Sequence, residues 1–191
     1  MTQDSKLERK HKILVAARKV ISEYGGASLN MKELAQIAEV PRASLYRVYA
    51  SKEHIISDIT LDWGLSLVKR LQTKKPKGKT NGAKIKHVFK NILQEAENNP
   101  LLIGAVLENL LSADDTTRNM QVKFEELLPA LLAPAIDYQS IPDAKKVMDT
   151  LLRLLLANLL MLSSGRSSLK ESLSHMIFAA EKLTGLEYWN N

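Results

Sequence analysis

The most informative segment of the chain reads Asn30-Met-Lys-Glu-Leu-Ala-Gln-Ile-Ala38, followed after two residues by Pro41-Arg-Ala-Ser-Leu-Tyr-Arg-Val-Tyr49. Asn30 is a favourable N-cap residue, and Glu33 stands three positions later in the place of a capping box. Pro41 suits the first turn of the next helix, because its missing N–H would have no intrahelical acceptor there. The segment therefore predicts two short helices joined by a tight turn, which is the spacing of a helix-turn-helix.

A longer amphipathic helix is predicted before this pair, and another after it. Apolar side chains recur at three- and four-residue steps through residues 6–24, and Gly25-Gly26 ends the pattern. Ser51 can cap a fourth helix that continues past Trp63. The segment 74–82, which is rich in lysine and contains proline and two glycines, then indicates a linker or an exposed loop.

The rest of the chain predicts five more helices and no strand. Their expected bounds are about 83–98, 101–113, 115–132, 142–164 and 168–184. The aromatic content of 5% also argues against a strand-rich sandwich or barrel. We therefore expect an all-α protein of about nine helices, in which a three-helix helix-turn-helix head is followed by a helical body.

Charge is distributed unevenly along the chain. Residues 1–52 contain 10 basic and 5 acidic residues, and residues 53–90 contain 9 and 3. Residues 91–191 contain 8 basic and 13 acidic residues. A basic first half fits a surface that binds a polyanion, although a charged surface that is merely solvated is an alternative.

Several functions lack the residues that they would need. The chain has no cysteine, and its four histidines lie far apart in the sequence, so we expect no metal site and no cofactor. No catalytic cluster or phosphate-cradling glycine loop is visible, and we expect no enzyme. The longest apolar run, residues 151–162, is shorter than the roughly 20 residues that a bilayer requires. Because no secretory signal follows Met1 either, we expect a cytoplasmic protein.

The third helix has the composition of a DNA-reading helix. Its inward positions are expected to be Leu45 and Val48. Its outward positions are expected to be Arg42, Ser44, Tyr46 and Arg47. Such a face combines side chains that can read base edges with side chains that bind phosphate.

The head resembles the TetR superfamily of transcription regulators over about 45 residues. The matching segments are Ile13-Leu-Val-Ala-Ala17, Gly25-Gly26, Met31-Lys-Glu-Leu-Ala-Gln-Ile-Ala38, Val40-Pro-Arg-Ala-Ser-Leu-Tyr46, Tyr49 and Ser51-Lys52-Glu53. The resemblance implies base-edge contacts from Arg42, Ala43 and Ser44, and phosphate contacts from Tyr46, Arg47 and Lys52. It also implies double-stranded operator DNA as the partner. We therefore expect a DNA-binding domain in residues 1–52 and a ligand-binding and dimerisation domain in residues 53–191.

Three positions depart from the family's pattern. Glu39 stands at the turn position that is often glycine, Val48 replaces an aromatic phosphate contact, and Tyr49 replaces a core phenylalanine. These differences predict an altered operator and a lost phosphate contact. A basic arm of Lys6, Arg9, Lys10 and Lys12 can compensate by reaching phosphates, or it can be disordered and merely solubilising.

The last two predicted helices have more apolar residues than a half-exposed helix would bury on its single inward face. This excess indicates a homodimer, in which a second copy covers the remaining apolar residues. These positions are Val147, Leu151, Leu154, Leu155, Leu159 and Leu162, with Leu173, Ile177, Ala180 and Leu183 in the last helix. A monomer that buries all of them internally is the alternative.

The body resembles, less specifically, the steroid-catabolism regulators of the same superfamily. This resemblance implies a large hydrophobic or acyl-CoA effector, and the acid-free run from Lys69 to Lys90 can then meet the phosphates of CoA, or face solvent or DNA. The candidate ligand-binding residues are Trp63, Glu108, Asn109, Arg153 and Asn158. Each of these polar groups can instead be satisfied at a core edge or a subunit contact.

The resemblance implies a repressor that its effector releases from DNA by moving the fourth helix and changing the separation of the two heads. An adaptor of the same fold, which recruits a protein partner without sensing a small molecule, is the alternative function.

Overall fold

The computed structural model describes residues 3–78, 81–112, 115–135, 141 and 143–184. All regular structure in this part of the chain is helical. The α-helices are α1 (Gln3–Tyr24), α2 (Met31–Ile37), α3 (Arg42–Val48), α4 (Lys52–Thr73), α5 (Asn81–Asn98), α6 (Pro100–Leu111), α7 (Asp115–Leu132), α8 (Ala144–Ser163) and α9 (Leu169–Thr184). The all-α prediction is confirmed. None of the described helices is long and apolar enough to span a bilayer.

Helix starts lie close to the positions that local capping chemistry predicts. The Asn30 side chain accepts a hydrogen bond of 2.8 Å from the backbone N–H of Lys32 and thereby caps α2. Pro100 begins α6, with Asn99 as the one residue between α5 and α6. A reciprocal capping box begins α9, in which the Ser168 N–H donates to Glu171 and the Glu171 N–H donates to the Ser168 hydroxyl.

Two local features differ from expectation. A single 3₁₀ turn at Gly26–Ser28 follows α1 and was not predicted. The α1 helix begins at Gln3, so the basic arm is helical and the alternative of a disordered arm is wrong for its described residues.

Pro129 lies inside α7, and the helix continues through it to Leu132.

The described chain divides into two compact units. The first unit comprises Met1–Asp62 and Leu101–Val122, so it contains the head and also α6. Its core is formed by buried aliphatic side chains of all these helices, including Ile13, Ala17, Ile21, Leu34, Leu45, Ile55 and Leu102. A Cβ atom on Gly26 would lie 2.9 Å from the Ala105 Cβ, so only glycine allows α6 to approach the 3₁₀ turn this closely.

The second unit comprises Trp63–Pro100 and Lys123–Asn191. In it α5 packs against both α8 and α9, which also pack against each other. The buried side chains include Ile85, Phe89, Ile92 and Leu93 of α5, Leu151, Leu155 and Leu159 of α8, and Met176 and Ala180 of α9. These three helices therefore form the core of the second unit by burying aliphatic and aromatic surface.

Candidate nucleic-acid interface and effector-site residues

The turn between α2 and α3 has the geometry of a helix-turn-helix although its glycine is missing. Glu39 adopts a left-handed backbone conformation with a φ of 53°. The Val40 N–H donates to the Ala35 carbonyl at 3.0 Å, which closes the end of α2. A non-glycine residue in this conformation costs about 1–2 kcal/mol, so the turn is maintained against a local penalty.

The α3 helix presents most of the predicted DNA-binding side chains to solvent. Arg42, Ala43, Tyr46 and Arg47 are exposed, whereas Leu45 is fully buried. Ser44 differs from the expected outward orientation, because only 6% of its surface is exposed. Its hydroxyl accepts a hydrogen bond of 3.4 Å from the Arg47 guanidinium, which lies one helical turn further along α3. Its contact with a base edge remains a prediction.

Two of the exposed cations are held by groups on their own helix. The Arg42 guanidinium lies 5.5 Å from the centre of the Tyr46 ring, one helical turn away. The Arg47 guanidinium donates to the Ala43 carbonyl at 3.3 Å and to the Ser44 hydroxyl at 3.4 Å. Both side chains are therefore partly ordered before any ligand binds, which lowers the entropic cost of a later contact.

A polar network that the sequence did not reveal fixes the end of α3. The Tyr49 hydroxyl donates to Asp58 of α4 at 2.8 Å, and Asp58 forms an ion pair of 2.8 Å with Lys10 of α1. Burial and the neighbouring Asp58 carboxylate raise the pKa of the Tyr49 hydroxyl above its ordinary value. Tyr49 thus keeps its proton and joins the three helices, which explains how a tyrosine replaces the usual phenylalanine.

The basic arm contributes fewer free cations than its sequence suggests. Lys10 is engaged by Asp58, and Lys12 pairs with Glu8 at 3.3 Å within α1. Lys6 is exposed near the start of the helix. Lys52, the predicted phosphate ligand outside α3, is partly buried and is the first residue of α4.

A capped helix, a tight turn and a second short helix with an exposed arginine face define a DNA-binding protein of the helix-turn-helix class. The family of bacterial regulatory proteins named tetR matches residues 13–59. The HTH-type transcriptional repressor KstR of Rhodococcus jostii is 24% identical over 189 residues, which are 97% of this chain and 87% of KstR. Residues 13–59 therefore match the tetR family, and the chain as a whole resembles the transcriptional repressor KstR.

Solved structures agree on the fold. A TetR transcriptional regulator from Rhodococcus sp. RHA1 matches with a TM-score of 0.79 and 21% identity, over 94% of this chain and 97% of that one. The regulator FadR of Bacillus subtilis, solved in complex with stearoyl-CoA, matches with a TM-score of 0.70 and 15% identity, over 93% and 99%. At these identities the similarity establishes the arrangement of helices.

The predicted effector residues lie in both units and in separate environments. In the second unit, Trp63 is 4% exposed, and its ring stacks on Phe124 with centroids 6.1 Å apart. Its indole N–H donates to Glu95 at 2.9 Å. Asn158 is also buried there, and it donates to the Leu154 carbonyl and to the Met176 sulphur. Both polar groups are therefore satisfied within the fold.

Glu108 and Asn109 are neighbours on α6 of the first unit, but they face different surroundings. Glu108 is exposed. Asn109 is 7% exposed, accepts a hydrogen bond of 3.2 Å from the Ser57 hydroxyl and donates to the Glu53 carbonyl at 3.4 Å. Asn109 thus joins α6 to the first turns of α4.

Two grooves in the second unit involve polar side chains. Arg153 is exposed and lines a groove of about 220 Å³ between α7 and α8, together with Glu125 and Asp149. A second groove of about 290 Å³ lies between α4 and α5 and is lined by Arg70, Lys74, His87, Asn91 and Glu95 over an apolar floor. From the sequence, this basic run was a candidate contact for CoA phosphates, solvent or DNA, but the groove itself was not predicted. Across the described residues, no group of three potential metal ligands occurs.

Proposed function

We propose that the protein is a homodimeric transcriptional repressor of the cytoplasm that binds a palindromic operator through α3 and is released by a small hydrophobic or acyl-CoA-like effector. The single observation that carries the proposal is the exposed face of α3, with Arg42, Ala43, Tyr46 and Arg47, on a helix-turn-helix scaffold. The repressor KstR, which the chain resembles over almost its whole length, supports the direction of regulation.

The chemistry of α3 supports a division of roles. Arg42 can address guanine through two parallel hydrogen bonds, and the Ala43 methyl group can contact a thymine methyl. Tyr46, Arg47 and Lys52 carry groups that bind phosphate and position the helix without reading sequence. Ser44 can join the base readers only if the groups that cover its side chain, which include the Arg47 guanidinium, move away.

Dimerisation is proposed through the outer faces of α8 and α9. The apolar positions predicted for this role from sequence largely fill the core instead: Val147, Leu151, Leu155, Leu159, Leu162 and Ala180 are buried. Exposed apolar side chains remain on the same helices, including Leu160 at 45%, Met161 at 41% and Phe178 at 61%. Large exposed apolar side chains on adjacent helices indicate an interface with a second copy.

The class of effector is inferred from chemistry and similarity together. FadR of Bacillus subtilis, whose fold is similar, was crystallised with stearoyl-CoA, and the second unit of this chain contains a strongly basic region beside an aliphatic core. We propose residues 53–191 as the ligand-binding and dimerisation domain and residues 1–52 as the DNA-binding domain. An effector that prefers one position of α4 would change the separation of the two heads and weaken operator binding.

The decisive experiment is selection of genomic fragments by the purified protein at moderate salt, followed by sequencing. Enrichment of a palindromic site is expected, because a two-fold symmetric dimer reads two half-sites. Release of that site by an acyl-CoA, measured by fluorescence anisotropy, would support the effector class. Enrichment of no site above non-specific binding would contradict the proposal. A palindrome that no acyl-CoA or hydrophobic ligand releases would instead favour the adaptor alternative.

A further inference from the structure

We infer that the groove between α4 and α5 is a binding site for the phosphate groups of a partly apolar ligand, and that such a ligand takes Arg70 away from Glu95. This inference rests on the proposed effector function and adds to it the place and the chemistry of phosphate recognition. The site is defined by Arg70 and Lys74 of the α4 end, His87 and Asn91 of α5, and Glu95.

The charges of the groove favour an anion with more than one negative charge. The run from Lys69 to Lys90 contains nine lysines and arginines and no acid. Three potential cations, Arg70, Lys74 and His87, line the groove, and Glu95 is the one acid on its lining. Lys74 and His87 have no ion-pair partner within the part of the chain that the structure describes. An arginine beside a lysine is suited to phosphate, which offers several acceptor oxygens.

The shape of the groove favours a small ligand over duplex DNA. Its floor consists of Leu67, Leu71 and Ile92, which are 3%, 5% and 1% exposed. A group of exposed lysines without a groove would attract any polyanion, including duplex DNA. A concavity of about 290 Å³ with an apolar floor additionally binds a ligand that carries an apolar group next to its phosphates. A phosphorylated nucleotide joined to an aliphatic arm, as in CoA, has this combination.

Occupancy of the groove should be transmitted to a buried tryptophan. Arg70 forms an ion pair with one Glu95 carboxylate oxygen, and the other oxygen accepts from the Trp63 indole at 2.9 Å. Phosphate bound at Arg70 competes with Glu95 for the guanidinium. The hydrogen bond that Glu95 accepts from the Trp63 indole then changes. Because Arg70 and Trp63 both belong to α4, the site acts directly on the helix that is proposed to move.

Binding is tested on the full-length protein with Trp189→Phe, which leaves Trp63 as the only tryptophan. Free CoA, palmitoyl-CoA, palmitate and inorganic phosphate are titrated by isothermal calorimetry and by tryptophan fluorescence. Lys74→Gln and Arg70→Gln are each expected to weaken CoA and palmitoyl-CoA about tenfold, with less than about a twofold effect on palmitate. Lys170→Gln, an exposed lysine of α9, is the control and should leave every Kd unchanged.

The outcomes separate this inference from the proposed function. Equal CoA affinity in the Lys74, Arg70 and Lys170 variants would contradict phosphate binding in the groove, even where palmitoyl-CoA still releases operator DNA. CoA binding that depends on Lys74 but leaves operator affinity unchanged would support the groove and contradict the effector proposal. A loss of non-specific DNA affinity in the Lys74 variant, with CoA binding intact, would assign the groove to DNA. Lys74 is exposed, so its variant remains informative if Arg70→Gln does not fold.

Discussion

The outer face of α3 and the interior of the second unit use polar side chains in opposite ways. On α3, the side chains of Arg42 and Arg47 are exposed and contact residues of their own helix. In the second unit, the polar groups of Trp63 and Asn158 are buried and already hydrogen-bonded to protein atoms. A side chain that has a free face can bind an external partner without first breaking an internal contact. A satisfied buried group loses a hydrogen bond if it turns to a ligand.

The comparison suggests how the two functions are separated in the molecule. DNA recognition needs a rigid surface whose side chains project outward, and a short capped helix provides it. Effector binding needs a cavity or groove. Polar side chains that are available to a ligand, such as Arg70 and Lys74, line the groove between α4 and α5, whereas the polar groups of the core are hydrogen-bonded to protein atoms. Five experiments test this comparison, and they are ordered by the size of the expected effect.

Charging the outer face of α9 should disrupt the dimer. Phe178→Asp is expected to halve the mass measured by sedimentation equilibrium, because a desolvated carboxylate would lie in the proposed interface. Operator affinity should fall by at least about 100-fold, since a palindrome then loses the advantage of two linked heads. Leu111→Asp is the control, since Leu111 is 74% exposed on α6. A Phe178 variant that remains dimeric would place the interface elsewhere.

Removing the exposed arginine at the start of α3 should cost affinity and specificity together. Arg42→Ala is expected to weaken operator binding by about 1–3 kcal/mol and to relax preference at one base pair. Lys52→Gln should instead weaken binding equally on all sequences and reduce its salt dependence. Both effects are measured by fluorescence anisotropy on operator and scrambled duplexes. Wild-type affinity and preference in the Arg42 variant would contradict the base-reading role.

Asn109 and Glu108 should differ in their contribution to stability although they are adjacent. Asn109→Leu is expected to lower the free energy of unfolding by about 1–3 kcal/mol, because the Ser57 hydroxyl and the Glu53 carbonyl lose a buried partner. Glu108→Ala, at an exposed position, should change it by less than about 0.5 kcal/mol. Urea denaturation of both variants provides the measurement. Equal effects would show that the hydrogen bonds of Asn109 between α6 and α4 contribute little to the free energy of unfolding.

The turn before α3 should tolerate, and benefit from, the glycine that it lacks. Glu39→Gly is expected to raise the free energy of unfolding by about 0.5–1 kcal/mol, because glycine adopts a φ of 53° without strain. It should also tighten DNA binding by removing an acid from the head. Glu39→Gln separates the two effects, since it removes the charge and keeps the strain. Destabilisation by glycine would mean that the Glu39 side chain makes a favourable contact.

The smallest effect concerns the capping box of α9. Hydrogen bonds from the Ser168 backbone and then from its hydroxyl lower the pKa of the Glu171 carboxyl. A lowered folded-state pKa stabilises the fold at pH values above the unfolded pKa, and this contribution disappears as the pH falls through the folded pKa. Wild type should therefore lose stability below about pH 4, and Glu171→Gln should lack this component. Thermal unfolding from pH 3 to 7 compares them, with Glu108→Gln as control.

Much of the fold is readable from the sequence, and the head more so than the body. The starts of α2 after Asn30, of α6 at Pro100 and of α9 after Ser168 lie within a residue or two of the predicted positions. The 3₁₀ turn after Gly25 was missed, because its only sequence signal is a glycine pair that equally predicts a simple stop. Most of the α8 positions assigned to the interface are buried within the chain, since apolar periodicity does not distinguish an internal face from an intermolecular one.

The helix-turn-helix class, the helices and the outward arginines of α3 could be predicted from the sequence, because these features depend on residues within one or two helical turns of each other. Which polar groups remain available to a ligand depends instead on how the helices pack. The hydrogen bond from Ser57 to Asn109 joins residues 52 positions apart, and the bond from Trp63 to Glu95 joins residues 32 positions apart. Such partners are set by which faces of long helices meet, and periodicity leaves that choice open.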